Sequence, residues 1–194
     1  MEGMSPDSPA DAKRQARAAL TAARTGVPLK LRAAAATRLW ARLREVQGMT
    51  IAGYLPIGTE VSPVTTMRAL WRDNTICVPV VTGKGAPLRF REWWPGCPTE
   101  PGAFDVPVPT EGGWRVPQVL IVPLLGFDAS CGRLGYGGGF YDRTLAGLGE
   151  AHTIGLAVEV QRMDAVPREP TDVALDEVIT EAGIYRRPAE RVGT

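Results

Sequence analysis

Residues 132–143 read GRLGYGGGFYDR, and the fold class turns on how this stretch is taken. Gly135, Gly137, Gly138 and Gly139 fall within five positions, with Arg133 before them and Tyr141, Asp142 and Arg143 after. Upstream, residues 119–125 form a continuous apolar run, VLIVPLL. Downstream, Tyr141, Leu145 and Leu148 recur at helical spacing, and Gly147 and Gly149 mark an end. The order is therefore buried strand, glycine loop, short helix. That arrangement suits a polyanion. Glycines let the backbone approach a phosphate closely and adopt positive φ. A helix N-terminus adds free N–H groups and the positive end of its dipole. Asp142 stands where a carboxylate can hold a metal bound to those phosphates.

The loop is not a Walker A loop, because no Gly-Lys-Ser/Thr closes it. It is not the dinucleotide fingerprint GxGxxG either, since the sixth position counted from Gly135 is Phe140. The competing reading is a tight strand-to-helix connection in which glycines fill awkward backbone angles. Arg133 and Asp142 at its flanks favour phosphate binding over that reading.

Composition narrows the classes. A chain of 194 residues supplies one domain with a sizeable core. Net charge is +1, which gives no electrostatic case for nucleic acid or an anionic membrane. Cys77, Cys97 and Cys131 are far apart, with no CxxC pair, so neither a disulfide framework nor a zinc site is expected. A reducing cytoplasm fits. No apolar run approaches the ~18 residues of a membrane span. Residues 1–12, MEGMSPDSPADA, lack the basic start and apolar stretch of a signal peptide. Residues 1–10 read as a disordered tail on a single domain.

Residues 11–24 are Ala-rich and basic, a predicted helix with a thin apolar stripe. Lys13 and Arg17 are four apart and share its face, as a solvated surface helix also would have them. A second helix over 29–46 carries the stripe Ala36, Leu39, Trp40, Leu43 and Val46. Residues 50–55, TIAGYL, read as a strand, and Glu60 follows in its loop. Glu60 is either a ligand-facing carboxylate or a solvated helix start, because Ser62-Pro63 resembles an N-cap with proline at the first helical position. The third helix runs to about residue 71.

Residues 75–81 are a strand in which Pro79 argues for an edge, a bulge or a strand end. Residues 88–93 alternate like a half-exposed strand. From 94 to 117 prolines and glycines dominate, giving either a lid or binding loop or an elaborate surface connection. Trp93, Trp94 and Trp114 either pack on the core or stack on a flat ligand. Residues 153–158 and 175–180 close the pattern with further strands. His152, the only histidine, has no neighbours that make a triad and reads as structural. Strands alternating with helices indicate a layered α/β domain with a mostly parallel sheet. Ligands gather at the carboxyl ends of such strands. Glu60, the glycine loop and residues 159–176 all follow strands, so they are expected to meet on one edge.

Residues 123–143, PLLGFDASCGRLGYGGGFYDR, are similar almost letter for letter to the central motif of the 5-formyltetrahydrofolate cyclo-ligase family, also called methenyltetrahydrofolate synthetase. YLPIGTE at 54–60 looks like its folate-contacting segment, and KRQAR at 13–17 resembles its N-terminal Lys-x-x-x-Arg element. IGLA at 154–157, Gln161, VPREPTD at 166–172 and LDEVIT at 175–180 look like its C-terminal signature. The resemblance covers nearly the whole chain after the tail. It implies an α/β/α sandwich related to the ribose-phosphate isomerase and CoA-transferase group. It implies ATP-dependent closure of 5-formyltetrahydrofolate to 5,10-methenyltetrahydrofolate with Mg2+, releasing ADP and phosphate. The formyl oxygen attacks the γ-phosphate, nitrogen 10 attacks the activated carbon, and phosphate leaves. The substrate supplies both nucleophiles, so positioning and charge neutralisation dominate.

By the same resemblance Lys13, Arg14, Arg17 and Arg133 hold ATP phosphates. Leu134, Gly135, Tyr136, Gly137, Gly138, Gly139, Phe140 and Tyr141 complete the nucleotide site. Leu55 and Glu60 contact the pterin, with Gly138, Phe140 and Tyr141 shared between both ligands. Asp142 and Asp176 are the magnesium ligands, and Arg133 and Asp142 the catalytic pair. The partners implied are small molecules alone. The family often has Glu-Pro where this chain has Val108-Pro109, and His-Asp where it has Thr171-Asp172. Two other readings of the same residues stand beside this one: an ATP-dependent enzyme of this fold with another substrate, and a nucleotide-binding regulator without catalysis.

Overall fold

Period-two alternation in the central strands writes two apolar faces into one sheet. Ile51, Val119, Ile121 and Ile154 point to one side, while Ala52, Leu120 and Val122 point to the other. The structure, a computed structural model, describes residues 9–169 and 171–189. In chain order it has α1 (Pro9–Thr25), α2 (Leu29–Leu43), β1 (Thr50–Ala52), α3 (Val64–Leu70), β2 (Thr75–Val80) and β3 (Arg89–Glu92). There follow β4 (Thr99–Pro101), β5 (Pro107–Pro109), β6 (Trp114–Arg115), β7 (Val119–Pro123), β8 (Gly126–Phe127) and β9 (Arg133–Leu134). The chain ends with α4 (Phe140–Gly147), β10 (His152–Leu156), β11 (Glu177–Ile179) and β12 (Ile184–Arg186).

The main sheet runs β12-β11-β10-β7-β1-β2-β3-β6. Its centre, from β11 to β2, is parallel, and β12, β3 and β6 add antiparallel strands outside it. The expected layered α/β fold with a mostly parallel sheet is the fold observed. One face is covered by α2 and α3, through Ala35, Leu39, Leu43, Met67 and Leu70. The other is covered by Leu145 of α4 and the loop residues Leu124 and Leu175. Each fully buried aliphatic side chain contributes about 1.5–3 kcal/mol through removal from water. Of the expected α2 stripe, Leu39 and Leu43 are buried and Ala36 and Val46 pack against the same core; Ala35 joins them, and Trp40 is 37% exposed.

Several predicted boundaries change. Helix α1 starts at Pro9, so positions 9 and 10 of the predicted tail are helical, and the rest of that tail lies outside the described residues. Proline suits a first turn, where its missing N–H has no partner to lose. Pro79 is not on an edge. It lies near the end of β2, past the last residue that pairs with β1, so no ladder bond is lost there. The predicted loop over 94–117 contains a separate β4–β5 hairpin and the strand β6. The strand β7 does not lead straight into the glycines, because the β8–β9 hairpin stands between.

Asp128 fastens that hairpin. Its carboxylate accepts from Ser130 N–H, Gly132 N–H and Val166 N–H at 2.9–3.0 Å, and Arg168 approaches at 3.2 Å. Burial would raise its pKa, but Ser130, these amides and Arg168 hold it down at about 2. Arg133, at the start of β9, is thereby aimed from a fixed platform.

Candidate functional site

A cavity of about 1000 Å³ opens at the carboxyl edge of the parallel strands, reached by Leu55 beyond β1, Val81 beyond β2 and Pro123 of β7. That is the upper end of the range for small-molecule sites, roughly 300–1,000 Å³. Its walls come from opposite ends of the chain. Helix α1 supplies Lys13 and Arg17, the glycine loop supplies residues 135–139, and the segment before β11 supplies Glu169 and Asp172.

One wall sets Lys13, Arg17 and Arg133 beside the carboxylates Glu169, Asp172 and Asp142. Lys13, 7% exposed, forms ion pairs with Asp172 at 2.6 Å and Glu169 at 3.1 Å. Burial works to lower its pKa, yet the hydrogen bonds and charges of Asp172 and Glu169 raise it above the ordinary lysine value. Burial likewise pushes Asp172 upward, and the bond from Lys13 and the N–H of Glu169 carry it below the ordinary carboxylate value. Arg17 Nε donates to the Gly135 carbonyl at 2.9 Å. The Arg133 guanidinium is buried and pairs with Asp142 in the first turn of α4. Its Nε has no hydrogen-bond partner. A buried donor left unsatisfied costs about 1–3 kcal/mol, so this nitrogen is an observation in favour of an anionic ligand.

The glycine loop needs its glycines. Gly137 has φ 97° and Gly139 φ 65°, the left-handed region that favours glycine. Gly139 is the residue that turns the chain into α4, where Phe140, Tyr141 and Asp142 form the first turn. A Cβ on Gly138 would stand 2.9 Å from the Phe140 ring.

The opposite wall carries Glu60, which is 8% exposed and so is not a solvated helix start. One carboxylate oxygen accepts from Ile57 N–H at 2.7 Å, the other from the Tyr136 hydroxyl at 2.5 Å. Burial raises its pKa, against the lowering effect of those two bonds and of Arg24. Leu55 and the buried Tyr54 lie beside it. The tip of the β4–β5 hairpin also lines the cavity. There Phe104 is 67% exposed, has φ 58°, and meets the Phe140 ring edge-on at 6.3 Å. Trp93 is in the core, and Trp114 is half exposed beneath Arg89.

Of the predicted site residues, Lys13, Arg17, Leu55, Glu60, Arg133, Leu134, residues 135–139, Phe140, Tyr141 and Asp142 all line this one cavity. Two predicted residues do not. Arg14 follows Lys13 by about 100° around the helix, so its side chain is 76% exposed and pairs with Asp11. Asp176 precedes β11 and therefore sits at the amino edge of the sheet. It accepts from Thr153 N–H and the Thr153 hydroxyl at 2.8 Å each, and pairs with Arg187. It does not meet Asp142. Beside Glu169, this segment brings into the cavity Asp172, which the sequence reading passed over. Its signal was present in the VPREPTD motif, at the end of a segment expected to border the ligand edge. Among the described residues no cluster of three or more His, Cys, Asp or Glu forms a ready metal cage. No helix among them is long and apolar enough to cross a membrane.

Comparison with known proteins is consistent with this geometry. A model of the 5-formyltetrahydrofolate cyclo-ligase family matches residues 9–181. The 5-formyltetrahydrofolate cyclo-ligase of Mycolicibacterium smegmatis is 33% identical over 189 residues, spanning 91% of this chain and 95% of its own. The Escherichia coli K12 enzyme of the same name is 31% identical over 160 residues, 78% of this chain and 88% of its own. The solution structure of Aquifex aeolicus 5,10-methenyltetrahydrofolate synthetase matches with a TM-score of 0.78 at 24% identity, over 94% of this chain and 96% of that one. At that identity the last match speaks for the fold.

Proposed function

The chain belongs to the 5-formyltetrahydrofolate cyclo-ligase family, and from that premise we propose that it closes 5-formyltetrahydrofolate to 5,10-methenyltetrahydrofolate, using ATP and releasing ADP and phosphate. One observation supports this reading above others. Lys13, Arg17, Arg133, Arg143, the glycine loop and Glu60 line a single cavity, so a polyphosphate and a pterin have complementary groups within reach of each other. Lys13, Arg17 and Arg133 neutralise phosphate charge, and the N–H groups of the loop supply further donors. Glu60 accepts from the pterin amine and ring N–H. Leu55, Phe140 and Tyr141 enclose the flat ring and exclude water.

Magnesium fits the donor set. Two carboxylates plus phosphate oxygens suit it, and it rarely needs an all-protein cage. Asp142 and Asp172 are the residues that would hold it, in place of the expected pair with Asp176. When bound it supplies positive charge against the transferred phosphoryl group. Each carboxylate is paired with a cation, Asp142 with Arg133 and Asp172 with Lys13. A phosphate bound there would give both cations a new anionic partner. The chain's own work is then orientation: it holds the formyl oxygen facing phosphorus and nitrogen 10 facing the formyl carbon.

The deciding experiment combines purified protein, ATP, magnesium and 5-formyltetrahydrofolate, and follows the absorbance of the methenyl product. Product formed only when ATP and magnesium are both present supports the proposal. ATP hydrolysis stimulated by a different reduced folate, or nucleotide binding without turnover, would replace it.

A further inference from the structure

We propose that Tyr136 is a positioning residue that ties the glycine loop to Glu60, so that the phosphate side of the cavity sets the orientation of the carboxylate on the folate side. This rests on the reading of Glu60 as the pterin contact. The Tyr136 hydroxyl uses both of its hydrogen-bonding functions. It gives its proton to Glu60 Oε1 and accepts from Arg24 Nη1 at 2.7 Å. Arg24 is itself anchored, since its Nε donates to the Thr59 hydroxyl at 2.9 Å and its side chain is buried. The relay thus joins helix α1, the loop after β1 and the glycine loop.

Tyr136 is 51% exposed, so core packing does not account for its place. Gly135 and Gly137 flank it, and Arg17 holds the Gly135 carbonyl. The loop conformation, gripped by a phosphate-side arginine, therefore decides where the hydroxyl stands. The groups facing Glu60 are Arg24 of α1, Tyr54 beyond β1, Tyr136 of the loop and Tyr141 of α4. Tyr54 already donates to the Val61 carbonyl at 2.6 Å. Among these side chains, the Tyr136 hydroxyl is the one hydrogen-bonded to the Glu60 carboxylate in the structure. Its bond helps keep buried Glu60 ionised, so removing it moves the Glu60 titration to higher pH.

The test is Tyr136→Phe, with kcat/KM for 5-formyltetrahydrofolate measured across the acid and neutral range at saturating ATP. Thermal unfolding verifies that the variant folds. The folate KM is expected to rise about ten-fold, as for loss of one hydrogen bond to a charged group. The acid limb of the profile is expected at higher pH, with the ATP KM unchanged. In a Glu60→Gln background the same substitution is expected to add no further loss. A raised ATP KM with an unmoved folate profile, or additive effects of the two substitutions, would overturn the coupling. If Glu60→Gln alone raises the folate KM while Tyr136→Phe does not, the coupling falls and the pterin reading stands. If Glu60→Gln leaves folate kinetics untouched, both fall.

Discussion

Replacing Lys13 by alanine separates a binding role from an ornamental one, because the lysine stands at 7% exposure between two carboxylates. Breaking a fully buried pair from one side costs about 3–5 kcal/mol. Here the Asp172 side chain is 17% exposed and that of Glu169 48%, so water screens what remains. The expected loss of stability is about 1–3 kcal/mol. For a chain of this size that lowers Tm by about 2–12 °C. Adding Asp172→Asn is expected to restore part of it, since the stranded charge is removed.

The pH dependence has a definite sign. The Lys13 value is raised on folding, so its contribution is complete below the free-lysine value of 10.5 and fades as pH climbs through the folded one. Asp172 is depressed, so its share is present above 3.8 and fades as pH falls through its folded value. The Tm gap between wild type and Lys13→Ala is therefore widest in the neutral range and narrows toward both extremes. In the kinetic assay the ATP KM is expected to rise about ten- to hundred-fold, the worth of a charge-assisted phosphate bond. Folate affinity, measured directly, stays in place. An unchanged Tm together with an unchanged ATP KM would refute both the burial argument and the phosphate role.

Asp142→Asn is expected to shift the magnesium dependence of turnover to higher concentration. Asp176→Asn should leave that dependence alone and lower Tm by a few degrees, through its bonds to Thr153 and Arg187; a magnesium titration of each variant distinguishes them. Gly138→Val is expected to abolish turnover while circular dichroism stays native, because the new side chain presses on the Phe140 ring at the cavity rather than on the core. Asp128→Asn is expected to cost about 2 kcal/mol at neutral pH. Because Asp128 is depressed to about 2, that deficit fades as pH drops from 3.8 toward 2, which acid-titrated unfolding curves will show.

The parallel centre was legible because its strands are short β-branched runs bounded by turn residues, as in TIC at 75–77 and VLIV at 119–122. The edges were not. The strand β4 is Thr-Glu-Pro, exposed at every position, and β8 and β9 are two residues each, too short for any period to register. In the site, the family resemblance rather than spacing alone pointed to the loop, Lys13, Arg17 and Glu60, which all line the cavity. It failed where geometry depends on direction. Arg14 sits inside the right motif on the wrong side of its helix. Asp176 adjoins the right strand at its wrong end, since a residue preceding a parallel strand lies opposite the ligand edge. The Tyr136–Glu60 bond spans 76 positions, and no local pattern announces it.

Lys13 and Asp172 are separated by 159 positions, and their contact seals one wall of the cavity. On a ribosome adding about 5–20 residues per second, roughly 8–32 s pass between the synthesis of the two. Throughout that interval Lys13 has no Asp172 to meet, and the cavity wall formed by their contact is missing from the nascent chain. That wall of the cavity is completed only after nearly the whole sheet has been synthesised. Shortening the chain ahead of residue 172 would remove β11, β12 and the carboxylate that meets Lys13.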